Sequence, residues 1–371
     1  MTVKNITDYI EKLAPLAYAE DFDNVGLLIG SYDKIVTGVL VALDTLENTI
    51  DEAIDKKCNL IISFHPIIFK GLKKITGNNY VERVVVKAIK NDIAIYAIHT
   101  ALDNSSKGVS AKMCEIIGLS NTNILIPQKG NIKKLTTYVP HQNADGLRNS
   151  LFEAGAGNIG NYSNCSFNIE GTGTYQGNEN SNPTIGKKET MHTEPETFIS
   201  VIFEKHLEGK ILTALFKNHP YEEVAYDVVT LDNKHQEIGM GMVGNLTMEM
   251  EAENFLIRLK QKFNLKTLRH TDLNNKTIKK VAVLGGSGSF AIPHAKRSGA
   301  DIYITSDLKY HDFLSAENQI ILVDIGHYES EQFTKNLLVD YLTKKFTNFA
   351  AALPEGRIIL SEKNTNPINY L

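Results

Sequence analysis

Short apolar runs alternate with amphipathic stretches through the first third of the chain. Runs at residues 36–43, 60–64 and 93–98 are separated by helical spacings at 45–57 and around 80–91. That alternation predicts a β/α domain with a largely parallel sheet, and the nearly continuous apolar character of the runs predicts a sheet covered on both faces. From about Gly130 the texture changes to Gly, Asn, Ser and Thr, with glycine-rich runs at 154–160 and 171–177 and a polar loop through 178–193. Strand signals persist at 134–139 and 198–203, with a helix at 144–154. After residues 241–245 the first pattern resumes, with a helix at 251–263 and strands at 280–284, 301–305 and 319–325. The expectation is an α/β core in two halves, residues 1–128 and 236–371, with a small α+β domain inserted at 129–235. The loop near 177–183 lacks apolar residues to bury and is the expected mobile element.

A chain of 371 residues with 42% hydrophobic and 22% charged residues is long enough for about two domains with a sizeable core. Its net charge of −4 supplies no basic excess to drive counterion release, so nucleic acid is not an expected partner. Cys58, Cys114 and Cys165 are odd in number and widely spaced, which argues against a disulfide frame or a structural zinc site and for reducing cytoplasm. The N-terminal residues are acidic and amphipathic, unlike a signal peptide, and no run reaches the roughly 18 apolar residues of a membrane helix. The expected location is cytoplasmic, away from membranes.

Three of the apolar runs end in histidine: 59–64 leads into His65, 92–98 into His99, and 319–326 into His327. Ligands and catalytic groups gather at the carboxyl ends of strands in open α/β sheets, so three imidazoles are expected in one crevice. Acids accompany them. Asp103 lies four residues beyond His99 in the loop 99–103, and Glu331 four beyond His327. If Gly326 breaks the strand and a helix begins there, His327 and Glu331 share a helix face one turn apart. Imidazole with carboxylate suits zinc, manganese or ferrous iron, and a carboxylate bridges two ions where imidazole cannot. A lone histidine after a strand is more often a structural residue, but three with two matched acids point to a divalent-metal site. Glu329 falls off the His327/Glu331 face and reads as solvated.

Other motifs carry alternatives. Gly285-Gly-Ser-Gly-Ser289 follows a strand and suits either a phosphate cradle or a tight strand-to-helix turn beside the site. It lacks the lysine of a P-loop and the spacing of a dinucleotide fingerprint. Ser306-Asp-Leu-Lys-Tyr-His-Asp312 offers Asp307, Lys309 and His311 as outer-sphere or substrate-contacting groups, or else a solvated helix start capped by Ser306. His219-Pro-Tyr-Glu-Glu223 suits a ligand cluster or a turn with exposed acids. Asp23 and Asn24 read as turn residues ahead of residues 27–29 rather than crevice groups.

Taken together, Asp23-Asn-Val-Gly-Leu27, Ser63-Phe-His65-Pro-Ile-Ile-Phe69, His99-Thr-Ala-Leu-Asp103, His219-Pro-Tyr-Glu-Glu223, Gly285-Gly-Ser-Gly288, Ser306-Asp-Leu-Lys-Tyr-His311 and Asp324-Ile-Gly-His327-Tyr-Glu-Ser-Glu331 resemble the Nif-three-like dinuclear-metal family, whose members often carry the label GTP cyclohydrolase 1 type 2 homologue. The resemblance implies an α/β core around a metal centre, a middle domain similar to PII and CutA proteins, and a toroidal homohexamer. It implies metal ligands at His65, Asp103, His327 and Glu331, with Glu331 bridging. One departure is evident. Many members have two adjacent histidines before the proline, and here the first is Phe64, which leaves the Asp103 half of the centre short of an imidazole unless His99 replaces it.

The resulting expectation is a metal-dependent hydrolase acting on a small nucleotide-like or phosphorylated substrate. One or two divalent ions are expected, zinc before manganese or iron, with Glu331 and His327 catalytic and Lys309 with the 285–289 loop steadying an anionic group. The alternative is a metal-handling or ligand-sensing regulator without turnover. A partner-binding scaffold has no feature of the sequence behind it.

Overall fold

The computed structural model describes residues 1–273, 276–346 and 357–371. The chain divides into two compact units, Met1–Pro127 with Glu237–Leu371, and Gln128–Gln236.

In the first unit the apolar runs form the four-residue strands Val39–Ala42, Leu60–Ser63 and Ala94–Ala97, buried throughout. They pair in parallel. Ile358–Leu360 adds a parallel edge beside Val39–Ala42, and Gly26–Ile29 an antiparallel edge beside Ala94–Ala97. Successive side chains of a strand point to opposite faces, so burial at every position requires a cover on each side. Val39, Val41, Leu60, Ile62 and Tyr96 pack against Ile6 and Ile10 of the helix Val3–Ile10 and Leu338 and Leu342 of the helix Thr334–Phe346. Leu40, Ala42, Ile61 and Ile95 pack against Ile50 and Ala53 of Glu47–Asp55 and Val84, Val85 and Ala88 of Tyr80–Lys90. The latter helix starts cleanly because the Glu82 backbone N–H donates to the Asn79 side chain.

The resumed pattern after residue 245 builds a second sheet rather than extending the first. Its centre is parallel, in the order Thr277–Ser287, Ile302–Ser306, Ile321–Asp324. Its edges are antiparallel: Arg269–His270 beside Ile321–Asp324, and Gly239–Glu251 with Leu119–Pro127 beyond Thr277–Ser287. The first sheet is largely parallel, as the alternation predicts, and the second is mixed. Residues 241–245, read as the joint where the pattern resumes, lie inside the strand Gly239–Glu251. Glycine hides that strand from a propensity reading, yet the packing demands it: a Cβ at Gly239 would lie 2.2 Å from the Ile126 carbonyl oxygen.

The second unit is an antiparallel sheet in the order Phe167–Gln176, Met191–Glu204, Ile132–Pro140, Tyr226–Leu231. Helices Ala144–Glu153 and Glu208–Asn218 bury Leu147, Leu151, Ile211 and Leu215 against Leu135, Val139, Ile199 and Val201 on one face of the sheet. The chain order is βαββαβ, an α+β arrangement. The glycine-rich residues 171–177 belong mostly to the strand Phe167–Gln176, and the polar loop gives way to Met191–Glu204. Among the described residues, no helix is long and apolar enough to cross a membrane.

Phe64 sits at the end of a central strand with its side chain 0% exposed, in the cluster that contains Leu102, Val109 and Tyr96. Replacing Phe64 with alanine is expected to cost about 3–5 kcal/mol of stability, measured as a shift in the denaturant midpoint, with Phe64→Leu much milder.

Candidate metal centre

His65 leaves the strand Leu60–Ser63 with its backbone N–H still donating to the Leu43 carbonyl at 2.9 Å. His327 follows Gly326, whose φ of +92° turns the chain out of the strand Ile321–Asp324 and into the short helix His327–Glu331. One helical turn then sets His327 and Glu331 on the same face. Nε2 of His65 and Nε2 of His327 each lie 3.2 Å from Oε2 of Glu331. One ligand atom from each of the three residues falls within 4.8 Å of the other two. Glu331 is 3% exposed, and its buried Oε2 faces both imidazole nitrogens. A carboxylate oxygen buried between two imidazole nitrogens needs positive charge beside it, which imidazolium protons or a bound cation supply. The donor set fits a divalent ion on that ground.

The far nitrogen of each imidazole is held by a carboxylate. His65 Nδ1 meets Asp44 Oδ1 at 2.7 Å, and His327 Nδ1 meets Asp307 Oδ2 at 2.7 Å. Such partners fix the ring orientation and tautomer of a metal-ligating histidine and raise its basicity. Asp44 is itself held by the Thr365 hydroxyl, which donates to Oδ2 at 2.5 Å, and Ser287 donates to Asp307. His99 repeats the arrangement with Asp23, at 2.9 Å, while the Thr100 backbone N–H donates to the other Asp23 oxygen at 3.0 Å.

These contacts set the charge of the ion-free centre. Burial disfavours the imidazolium of His65, but Asp44 and Glu331 outweigh it and push the pKa up to about 10. For His327 burial is likewise overcome, by Asp307 and Glu331, and the pKa rises to about 11. Burial would raise Glu331, yet the two imidazoles hold it down to about 2. Asp103 moves the other way: burial and then the charge of Glu331 push its carboxyl well above the usual range. Asp23, despite burial, is held down to about 2 by His99 and Thr100.

Of the residues singled out in the sequence, His65, His327 and Glu331 converge. Asp103 lies outside that group of three, at the end of the helix His99–Asp103, and lines with His99, His327 and Glu331 a cavity of about 280 Å³. Phe22 and Phe290 line the same cavity, and both are largely exposed. His99 stands close, its ring centroid 5.1 Å from that of His65, and Phe64 packs edge-on to it at 5.4 Å.

Several readings change. Asp23 is not a turn residue alone, because its carboxylate orients His99. Glu329 is buried rather than solvated, and its Oε1 accepts from Asn366 Nδ2 at 2.9 Å. Lys309 and His311 are exposed and do not line the cavity, since the helix starts at Tyr310 and turns them outward. Ser306 ends the strand Ile302–Ser306 and caps nothing; Asp307, in a left-handed conformation with φ of +57°, swings back to His327. The 285–289 loop behaves as the tight turn. Gly286 N–H donates to the Ser330 hydroxyl at 2.9 Å, so it is not free for a phosphate. A Cβ on Gly286 would lie 2.5 Å from Glu331 Oε1, so the bare backbone makes room for the carboxylate. Asp44 was missed altogether. Its position just past the apolar run 36–43, at a third strand end, was the available signal.

The fold and the site thus define an α/β protein with a histidine–carboxylate centre at the carboxyl ends of strands from two sheets. The Duf34/NIF3 (NGG1p interacting factor 3) family profile matches residues 1–367, and the chain belongs to that family. A Bacillus subtilis protein named GTP cyclohydrolase 1 type 2 homolog is 39% identical, over 99% of this chain and 98% of its own length. A Halalkalibacterium halodurans protein of the same name is 37% identical over 99% and 98%. Among solved structures, a Bacillus cereus protein related to NIF3 superposes with a TM-score of 0.84 at 37% identity, covering 100% of this chain and 99% of its own. A Staphylococcus aureus protein gives 0.77 at 30% identity, with the same coverage.

Two outcomes test the geometry. Asp44→Ala is expected to weaken divalent-ion binding roughly 10- to 100-fold by freeing the His65 ring, read by competition with a chromophoric chelator. Because both imidazoles are protonated near neutrality in the ion-free centre, an incoming ion displaces their protons. Affinity is therefore expected to climb with pH between about 6 and 9, approaching roughly 100-fold per unit if both protons leave.

Proposed function

We propose that this chain is a metal-dependent hydrolase of a small phosphorylated or nucleotide-like substrate, with opening of a purine-nucleotide ring as its narrowest form. The observation that carries the reading is the convergence of the buried Glu331 Oε2 with two carboxylate-oriented imidazoles. The name GTP cyclohydrolase 1 type 2 homolog, borne by the relatives, supports the substrate class. So do Phe22 and Phe290, two exposed rings on the cavity wall against which a planar base can stack. A volume of about 280 Å³ lies at the lower end of the small-molecule range, so the cavity accommodates the reacting end of a substrate and leaves the remainder outside.

His65, His327 and Glu331 would hold the ion; bound there, it supplies Lewis acidity that lowers the pKa of water and stabilises developing negative charge. Asp44 and Asp307 keep both rings presenting Nε2. Asp103, whose carboxyl burial and the charge of Glu331 push well above the usual range, lines the cavity where it can hold a proton for a leaving group. A second ion, if bound, would be held by Asp103 in its ionised form together with Glu331. Zinc is the favoured metal for two imidazoles and a carboxylate, with manganese and iron as alternatives. The unpaired thiols of Cys58, Cys114 and Cys165 support a cytoplasmic location, and the family resemblance supports assembly as a homohexamer.

His327→Ala and Glu331→Ala are expected to abolish turnover of a nucleotide and phosphoester panel, by more than about 100-fold, while the circular dichroism stays native. Unchanged turnover in either ends the reading. Titration of metal-free protein is expected to give one tight ion per chain, because Phe64 supplies no imidazole to the Asp103 half. Two tight ions in both the unaltered protein and His99→Ala would refute that stoichiometry. The second reading, a metal-handling or ligand-sensing regulator, rests on the second unit having a cavity of its own. Metal-loaded protein that is inert across the panel yet passes its ion to an acceptor would favour it.

A further inference from the structure

The His219-Pro-Tyr-Glu-Glu223 motif has no part in the metal centre. It belongs to the second unit, where Tyr221, Glu222 and Glu223 line a cavity of about 810 Å³. The cavity lies on the sheet face opposite the two helices. Along Met191–Glu204 the side chains of Ile199 and Val201 go to the helical core, so Phe198 and Glu196, by alternation, face the other way. Across from them, in register, stand Ile169 and Gly171. Gly171 and Gly173 leave that part of the sheet without side chains, and the hollow they create is occupied at its floor by the Glu196 carboxylate. A Cβ on Gly173 would lie 2.1 Å from Glu196 Oε2.

The roof is built from sequence-distant pieces. The Asn182 backbone N–H donates to Glu222 Oε2 at 2.6 Å, and the Thr184 hydroxyl to the Pro220 carbonyl at 2.8 Å. These bonds pin residues 182–184, at the end of the stretch 177–183 expected to be mobile, onto the His219–Glu223 segment. Tyr175 and Tyr221 pack edge to face, with centroids 5.6 Å apart.

The floor is anionic and has no cationic partner. Glu196 is 7% exposed, and Oε1 accepts from the Tyr221 hydroxyl at 2.7 Å. Among the described residues, Oε2 receives no hydrogen bond and no ion pair involves Glu196, and no lysine, arginine or histidine lines the cavity. His219 does not supply the missing charge. Its Nε2 bonds the Tyr138 carbonyl oxygen while its Nδ1 accepts from the Tyr221 N–H, and burial keeps its pKa below the ordinary value. A buried carboxylate facing a roomy cavity walled by Tyr138, Tyr175, Phe198 and Tyr221 has the chemistry that recognises a positively charged organic group: an ion pair at the floor and cation–π faces at the walls.

We propose that this cavity is a binding site for a small organic cation, an amine or quaternary ammonium carrying an apolar body, with Glu196 as its counter-ion. Benzylammonium and choline serve as probes on the full-length protein by calorimetry and saturation-transfer NMR, with benzyl alcohol and benzoate as neutral and anionic counterparts. Benzylammonium or choline is expected to bind at least about tenfold more tightly than either counterpart. Glu196→Gln is expected to weaken that binding at least about tenfold. Gly171→Leu tests the same cavity without touching the carboxylate: a Cβ there meets no atom within 4 Å, so leucine fills the hollow while the sheet keeps its packing. It is expected to abolish binding, and it decides the matter if Glu196→Gln fails to fold. Binding of neither cation, equal binding of benzyl alcohol or benzoate, or full affinity in folded Gly171→Leu overturns the proposal.

Discussion

Glu331 presents a carboxylate to the interior, and much of the first unit is arranged around that fact. Its Oε2 stands 3.2 Å from two imidazole nitrogens that reach it from different sheets. An ionised carboxylate at 3% exposure is stable only if positive charge meets it on a fixed geometry. The chain meets that demand with backbone as much as with side chains. Gly326 takes a positive φ to launch the helix that carries His327 and Glu331, and Gly286 runs beside the carboxylate where a Cβ would collide with it. Both glycines sit where parallel strands end, so the rigid part of the fold holds the histidine–carboxylate cluster in place.

Around this pair the chain uses one device three times. His65 with Asp44, His327 with Asp307 and His99 with Asp23 are each an imidazole whose Nδ1 is held by a carboxylate. Each pair turns a free rotor into a ring that presents Nε2 in one direction. Asp103 differs because it has no such partner. Burial and the neighbouring Glu331 raise its pKa while the two imidazoles lower that of Glu331, so the two carboxyl groups shift in opposite directions.

The second unit applies the same constraint to a different end. There too a buried carboxylate, Glu196, faces space rather than a basic side chain, and there too glycine makes the room, at Gly171 and Gly173. The surroundings are aromatic rather than imidazole, which changes the cation that fits from a metal to an organic group.

Much of the local structure was legible in the chain. Continuous apolar runs marked the strands that are buried on both faces, and the spacing of four between His327 and Glu331 marked a helical turn once Gly326 breaks the strand, whereas residues 99–103, read as a loop, form a short helix. The change of texture at Gly130 came within a few residues of the boundary between the two units. What the sequence could not reveal involves partners far apart in the chain. Asp44 reaches a histidine 21 residues on, Asp23 one 76 residues on, and Glu331 meets His65 only because two separate sheets bring their carboxyl ends together. Glycine-rich strands gave no signal of their own for a related reason. Glycine carries a poor intrinsic β signal, and only the neighbours that press on Gly239 or Gly173 explain why nothing larger fits. Periodicity is a property of neighbours along the chain, so it determined elements and their exposed ends; charge pairing and steric room are properties of neighbours in space, and those the tertiary structure alone decided.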